Sequence, residues 1–131
     1  MSNGETDQYV DDMELATASA TERYKSYLIE SFIELTDMSE RVMMNMLQGR
    51  GDWDATNAYI SRMIHLSMHI YPKVTGSPSS KIGDLKDRFK EFEPWFNNPT
   101  IPMENAEEGN KIPQLFMLIR EAFERLGLTP F

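Results

Sequence analysis

The chain contains no cysteine, and this absence excludes several kinds of site at once. Disulfide bonds, thiolate metal centres and cysteine nucleophiles all require the thiol. A chain without cysteine fits a reducing compartment, so we expect a cytoplasmic protein. Residues 1–10 are polar and acidic, and they lack the basic start and apolar core of a secretory signal.

Long apolar runs and a broad basic region are also missing. No stretch approaches the roughly 20 apolar residues that a membrane-spanning helix needs, so we expect no membrane segment. Residues 1–20 hold five acids and no lysine or arginine, whereas residues 21–131 hold 16 acids and 13 bases. The acidity is therefore concentrated at the N-terminus. Because no broad basic face is indicated, we expect no direct nucleic-acid binding.

Glycine and proline are absent between Gly4 and Gly49, which permits one long helix. Apolar side chains recur there within about 60° of one direction on a helical wheel. These side chains are Val10, Met13, Tyr24, Leu28, Phe32, Leu35, Val42 and Met46. The pattern predicts a helix over about residues 10–48, preceded by a disordered acidic tail of residues 1–9. Gly49 is well placed for a left-handed helix cap.

A second helix is predicted over about residues 55–71. Its apolar side chains Tyr59, Met63 and Ile70 share one side of the helix. Asp52 or Asp54 can cap its start. Pro72 is expected to end it, since proline lacks the backbone N–H that a helix uses.

The remaining helices are shorter. One is expected at about residues 84–93, followed by a wrapping loop, and the last begins near Pro113 and ends before Gly127. No segment alternates convincingly between apolar and polar residues, as a half-buried strand does. The sequence therefore predicts an all-α bundle of four to five helices, in which residues 10–131 form a single helical domain.

Methionine and histidine are concentrated in one part of the chain. Both histidines and six of the ten methionines lie between Met38 and Tyr71. Methionine is frequent at surfaces that accept another protein, and it also fills irregular cores. No glycine-rich phosphate loop or catalytic triad accompanies the cluster, so we expect no bound cofactor.

The helix over residues 55–71 has little charge on either side. The side opposite its apolar face carries one charged residue, whereas a solvent-facing helix usually carries several. Either other helices of the chain cover this side, which is the simpler interpretation, or another chain does. We expect contacts with a protein partner or a second copy at six residues, which are Met43, Met44, Arg62, His65, Met68 and His69.

His65 and His69 lie four residues apart, so they share one helix face and could hold a metal ion. Further ligands are not indicated. Di-metal helical bundles use a Glu-x-x-His pattern, but Arg62 stands three residues before His65 and Leu66 three before His69. We therefore expect no metal site.

Arg62 and His69 are separated by six residues, and this spacing resembles the Arg-x(4–6)-His motif of HEPN ribonucleases. That family is all-α and usually dimeric. The resemblance implies that Arg62 stabilises charge on a scissile phosphate and that His69 orients or transfers a proton. The polar residue common after the family's arginine is replaced here by Met63.

Three functions follow from these features. The leading hypothesis is a non-enzymatic helical protein–protein interaction module. It would be an accessory or assembly subunit, or a small regulator, that self-associates or docks in a larger complex. The alternative is an acidic inhibitor that mimics nucleic acid, in which the acidic N-terminus or the segment from Glu91 to Glu108 occupies the basic groove of a nucleic-acid-binding protein. The second alternative is a HEPN-like ribonuclease.

Overall fold

The computed structural model describes the backbone of residues 2–128 and the side chains of residues 21–128. Its two longest helices are α1, Ser2–Leu47, and α2, Trp53–Thr75. They run in opposite directions as a helical hairpin, because Lys73 near the end of α2 lies over Tyr24 of α1. The predicted division into an acidic tail of residues 1–9 and a domain of residues 10–131 stays a prediction, since the tail lies outside the residues with described side chains.

The turn of the hairpin has the caps that the sequence predicts. Gly49 adopts a positive φ of 69°, and the N–H of Arg50 donates to the carbonyl of Asn45 at 2.7 Å. This geometry ends α1 and satisfies a carbonyl that the last turn would leave free. Asp52 begins α2, because its Oδ1 accepts from the N–H of Asp54 at 3.0 Å. Both predicted caps are confirmed.

Six further helices follow the hairpin. Five are short, and only the last exceeds ten residues: α3 Ser79–Ile82, α4 Leu85–Lys90, α5 Glu93–Asn97, α6 Ile101–Glu104, α7 Ala106–Gly109 and α8 Ile112–Arg125. No strand occurs within residues 2–128. The predicted all-α fold with one long N-terminal helix is confirmed. The region that was expected to form one short helix and a wrapping loop forms four short helices instead, α4 to α7.

The prediction that Pro72 ends the second helix is wrong. Helix α2 continues through Pro72 to Thr75, and Gly76 follows as its C-cap. Proline removes one hydrogen bond to the preceding turn, but it does not prevent the residues after it from remaining helical. The N–H of Gly76 donates to the Pro72 carbonyl at 3.0 Å, so this last turn is closed by Pro72 itself.

The core lies on one side of the hairpin. Phe32 of α1 stacks on Phe123 of α8 with ring centroids 4.6 Å apart. Met63 and Ile70 of α2 are fully buried between these helices and the short helices α4 and α5. Ser67, a fully buried polar residue of α2, donates its hydroxyl to the Met63 carbonyl at 2.8 Å and so stays satisfied. The other side of the hairpin remains open.

Candidate functional site

A shallow depression lies where α1 and α2 meet on the side of the hairpin away from the core. Its volume is about 520 Å³. We call this surface the hairpin groove, and it comprises Tyr24, Tyr27, Glu34, Met38, Ala58, Ser61, Arg62, His65 and His69. Three of the six predicted contact residues belong to it, whereas Met68 is exposed on α2 outside this set.

One ion pair crosses the hairpin groove. The Arg62 Nη1 donates to Glu34 Oε2 at 3.0 Å, and both side chains are about half exposed. An exposed pair of this kind contributes little to stability, on the order of 0–1 kcal/mol. Its main consequence is electrostatic, because the acid and the base near the middle of the hairpin groove neutralise each other, which leaves the charge of Lys73 at one end.

Four rings and an ammonium group meet at the end of the hairpin groove farthest from the turn. The hydroxyl of Tyr24 lies 3.2 Å from Nδ1 of His69, and the His65 and His69 ring centroids are 4.8 Å apart. Tyr24 also stacks on Tyr27, while the Lys73 Nζ lies 5.0 Å from the centre of the Tyr24 ring. These contacts, which include a cation–π interaction, hold the rings as a connected surface.

The wall beneath the hairpin groove is fixed by a buried tyrosine. Burial raises the pKa of the Tyr59 hydroxyl above its ordinary value, and a hydrogen bond with the Ser39 side chain opposes part of that rise. Tyr59 belongs to α2 and Ser39 to α1, so this bond joins the two helices below the surface. The hairpin is therefore anchored by an apolar ring with a satisfied hydroxyl.

The low-charge side of α2 is exposed, so the interpretation that the chain itself covers it is wrong for the described residues. Ala58, Ser61, Arg62, His65 and Met68 all face solvent. The reason is that α4, α5 and α8 pack together on the other side of α2.

Met43 and Met44, two further predicted contact residues, lie away from the hairpin groove. They belong to a cluster at the turn of the hairpin that we call the hairpin tip, which comprises Met43, Met44, Met46, Leu47 and Trp53. These five side chains are 53% to 77% exposed. Met46 was expected in the apolar stripe of α1, but it is exposed because the core does not extend to this last turn.

The signal for the hairpin tip was present in the sequence. In the run from Val42 to Leu47, apolar residues occupy five of the six positions and cover more than half of the helix circumference, with Asn45 on the remaining side. A single stripe facing the core would leave polar residues on the opposite side. The sequence did not identify Trp53 as part of this cluster, because Trp53 is the first residue of α2 and belongs to no periodic pattern of apolar residues.

No group of three or more histidine, cysteine, aspartate or glutamate side chains is arranged to hold a metal within the described part of the chain. His65 and His69 alone supply two of the four ligands of a structural zinc site. Arg62 and His69, the pair that resembles the ribonuclease motif, are two helical turns apart, or roughly 10 Å along α2. Each has a partner on α1, Glu34 for the arginine and Tyr24 for the histidine.

The sequence matches no protein-family model and no curated protein, and the fold matches no solved structure. Among the described residues, no helix combines the length and the apolar character needed to cross a membrane.

Proposed function

We propose that this chain is a non-enzymatic protein–protein interaction module, an accessory or assembly subunit that uses its α1–α2 hairpin as the contact element. The observation that carries the proposal is the hairpin tip, where five large apolar side chains are more than half exposed. A helix end that is apolar over more than half of its circumference is typical of a segment that is largely buried, and the core of this chain does not bury it.

The energetic reason is the cost of leaving these side chains in water. Transferring one methionine or leucine side chain from water to an apolar site yields about 1.5–3 kcal/mol. Several such residues exceed the side-chain ordering cost of about 0.5–1.5 kcal/mol each that association imposes. Methionine adds adaptability, which suits a surface that fits an apolar groove on another protein.

A protein groove fits the hairpin tip better than a lipid surface does. Glu40, Asp52 and Asp54 flank the tip and are accompanied by Arg41 and Arg50, so the surroundings are slightly acidic. Negative charge near the contact would be repelled by the anionic lipids of a cytoplasmic leaflet.

The test replaces Met46 and Leu47 together by aspartate. The full chain and this variant are used to purify partners from the cells that produce the chain, and the affinity for each purified partner is then measured by calorimetry. We expect the variant to lose at least about tenfold in affinity, because two desolvated apolar contacts are replaced by charges. The matched control is Met117→Asp, which changes a methionine of α8 that is also more than half exposed.

Retention of the same partners at the same affinity by the Met46→Asp, Leu47→Asp variant would exclude the hairpin tip as the contact. An equal loss in the Met117→Asp control would show that the effect is general and would also contradict the proposal. Far-ultraviolet circular dichroism verifies that each variant folds.

A ribonuclease is the second candidate, and one observation favours it. Arg62 and His65 lie exposed and His69 partly exposed on the same side of α2, where a phosphate could approach them. Cleavage of diverse RNAs by the purified chain, lost in both Arg62→Ala and His69→Ala but kept in Met68→Ala, would establish this function. Inactivity of the wild type on those RNAs would remove it.

A further inference from the structure

We infer that a second copy of this chain occupies the hairpin groove, so that two hairpins form a symmetric four-helix interface. This inference rests on the proposed function in one respect, which is that the hairpin is the contact element of the chain. The surface concerned is the hairpin groove and not the hairpin tip, and the molecule that binds there is a second copy of the chain.

The first argument is charge. A two-fold symmetric interface must be complementary to itself, because the same patch is used on both copies. The hairpin groove satisfies this condition, since it holds one acid, Glu34, and one base, Arg62, side by side at 3.0 Å. Two such surfaces carry no net repulsion, and each Arg62 can reach the Glu34 of the second copy.

The charge pair also selects the direction of the two-fold axis. An axis parallel to the hairpin places α1 of one copy against α2 of the other, which brings Arg62 opposite Glu34. An axis across the hairpin would place α1 against α1, and at the level of the ion pair it would bring Glu34 opposite Glu34, which is repulsive. The geometry therefore points to a parallel pair of hairpins, with both hairpin tips at the same end.

The second argument is composition. Aromatic residues, methionine and arginine are enriched in protein interfaces, whereas lysine, aspartate and glutamate are depleted. The hairpin groove contains two tyrosines, one methionine and one arginine against a single glutamate. Tyr24 and Tyr27 are 36% and 44% exposed, so both have apolar surface available for a contact.

The third argument is size. The part of the hairpin between Tyr24 and Asn45 is about 30 Å long and about 20 Å wide, because each helix is about 10 Å across. This gives a face on the order of 600 Å² per copy, and stable interfaces bury about 600–1,000 Å² per partner. The face is thus at the lower limit for a stable dimer. We expect a reversible dimer.

A single-stranded nucleic acid is the competing occupant, since aromatic rings and cations together can bind bases and phosphates. Here the cations already have partners, because Arg62 is paired with Glu34 and Lys73 lies over the Tyr24 ring. The observations therefore favour the second copy, and nucleic-acid binding is an outcome that the test distinguishes.

The test uses two charge reversals in the full chain, Arg62→Glu and Glu34→Arg, and sedimentation equilibrium over a wide range of concentrations. The wild type is expected to show a monomer–dimer equilibrium. Each variant alone places like charges at the interface, so its dissociation constant should rise about tenfold or more. An equimolar mixture of the two variants should restore the dimer, because each acid then meets a base on the other copy.

The matched control carries both reversals in one chain, Arg62→Glu with Glu34→Arg. It keeps the ion pair within each copy and between copies, so it should dimerise as the wild type does. A wild type that stays monomeric at every concentration overturns the inference. So do single variants that dimerise normally, or a mixture that does not recover.

The orientation has its own measurement. The chain has no cysteine, so Gln48→Cys next to the hairpin tip accepts a single spin label. A parallel pair predicts a label separation of about 20 Å, whereas an antiparallel pair predicts about 40 Å from the helical rise. A long distance would overturn the parallel arrangement. Fluorescent single-stranded RNA that binds the monomer and competes with dimer formation would instead assign the hairpin groove to nucleic acid.

The two proposals fail separately. A monomeric wild type removes the second copy from the hairpin groove, but it leaves partner binding at the hairpin tip intact. Loss of partner affinity in Met46→Asp, Leu47→Asp concerns the tip alone. The mass of that variant in solution should equal that of the wild type.

Discussion

At the scale of single residues, Trp95 and Glu108 fix the short helices to one another. The Trp95 side chain is buried, and its Nε1 donates to Glu108 Oε2 at 2.9 Å. The Lys111 Nζ lies 3.2 Å from the other oxygen of the same carboxylate. The Trp95 hydrogen bond, and after it the hydrogen bond with Lys111, lowers the pKa of Glu108 below its ordinary value of 4.5.

This lowered pKa predicts an acid-sensitive contribution to stability. A carboxyl whose pKa is lower in the folded state stabilises the fold above its unfolded pKa, and this contribution is lost as pH falls through the folded value. Thermal unfolding between pH 7 and pH 3 should therefore show a loss of stability beginning near pH 4.5 and continuing below it. We call this decrease of stability at acidic pH the acid limb. Glu108→Gln should make the acid limb shallower, since it removes the titrating group.

Two controls make the measurement specific. Glu107→Gln changes an exposed neighbour and should leave the acid limb as it is in the wild type. Trp53→Phe removes the exposed tryptophan, so that the fluorescence reports on Trp95 alone. If the acid limb of Glu108→Gln matched that of the wild type, the assigned role of this carboxylate would be wrong.

At the scale of elements, the prolines show that position within a helix decides their effect. Pro72 lies inside α2, where it cannot donate to the carbonyl of Met68, while Pro113 lies in the first turn of α8, where no such donor is needed. Both are exposed, so neither has a large packing role. The same residue type should therefore oppose one helix and favour the other.

Replacing each proline by alanine tests this difference. Pro72→Ala restores the missing N–H, and we expect the free energy of unfolding to rise by on the order of 1 kcal/mol. Pro113→Ala gives the unfolded chain more conformational freedom, so we expect the free energy of unfolding to fall by roughly 0.5 kcal/mol. Urea denaturation followed by circular dichroism measures both. Changes of the same sign in the two variants would contradict the argument.

Local chemistry explains which elements the sequence could predict. Gly49 and Asp52 act on backbone groups within a few residues, so their capping roles can be read without knowledge of the fold. The buried positions Leu28 and Leu35 followed from helical spacing. The continuation of α2 past Pro72 could not be predicted, because it depends on the turn that follows.

The candidate site was predictable in part, and for a related reason. Arg62 and His69 were singled out by the low charge of α2, which one segment shows by itself. Their partners Glu34 and Tyr24 lie 28 and 45 residues away, and only the packing of the hairpin brings them together. The exposure of Met46 likewise depends on where the core ends.

At the scale of the whole molecule, the hairpin separates two kinds of surface. One side is buried against α8 and the short helices, and the other side and the end are open. The open surfaces carry apolar and aromatic groups, whereas the acids of residues 1–20 lie at the opposite end of α1. The interaction module and the acidic inhibitor therefore assign contact to different parts of the molecule.

The change of binding affinity with salt concentration distinguishes these two functions. When ionic strength rises from about 0.1 M to about 1 M, the screening length falls from about 10 Å to about 3 Å, which weakens contacts between exposed charges. Binding of a partner through the hairpin tip should change by less than about threefold, because apolar contacts are not screened. A steep loss of affinity would instead support the acidic inhibitor.

Deletion of residues 1–14 provides the complementary measurement. This segment contains five acids and no base, so its removal should abolish binding by an inhibitor that acts through the acidic N-terminus and leave binding through the hairpin tip unchanged. Calorimetry with the same purified partner compares the two chains.

The ion pair between Arg62 and Glu34 has a consequence for valency. If it sets the hairpins parallel, the dimer is one-sided, with ten apolar side chains of two hairpin tips at a single end. A partner with two matching grooves would then bind both tips at once, and such bivalent binding strengthens affinity by about 10²–10⁴ without any new kind of contact. One surface ion pair, almost without value for stability, would thereby set the avidity of the whole assembly.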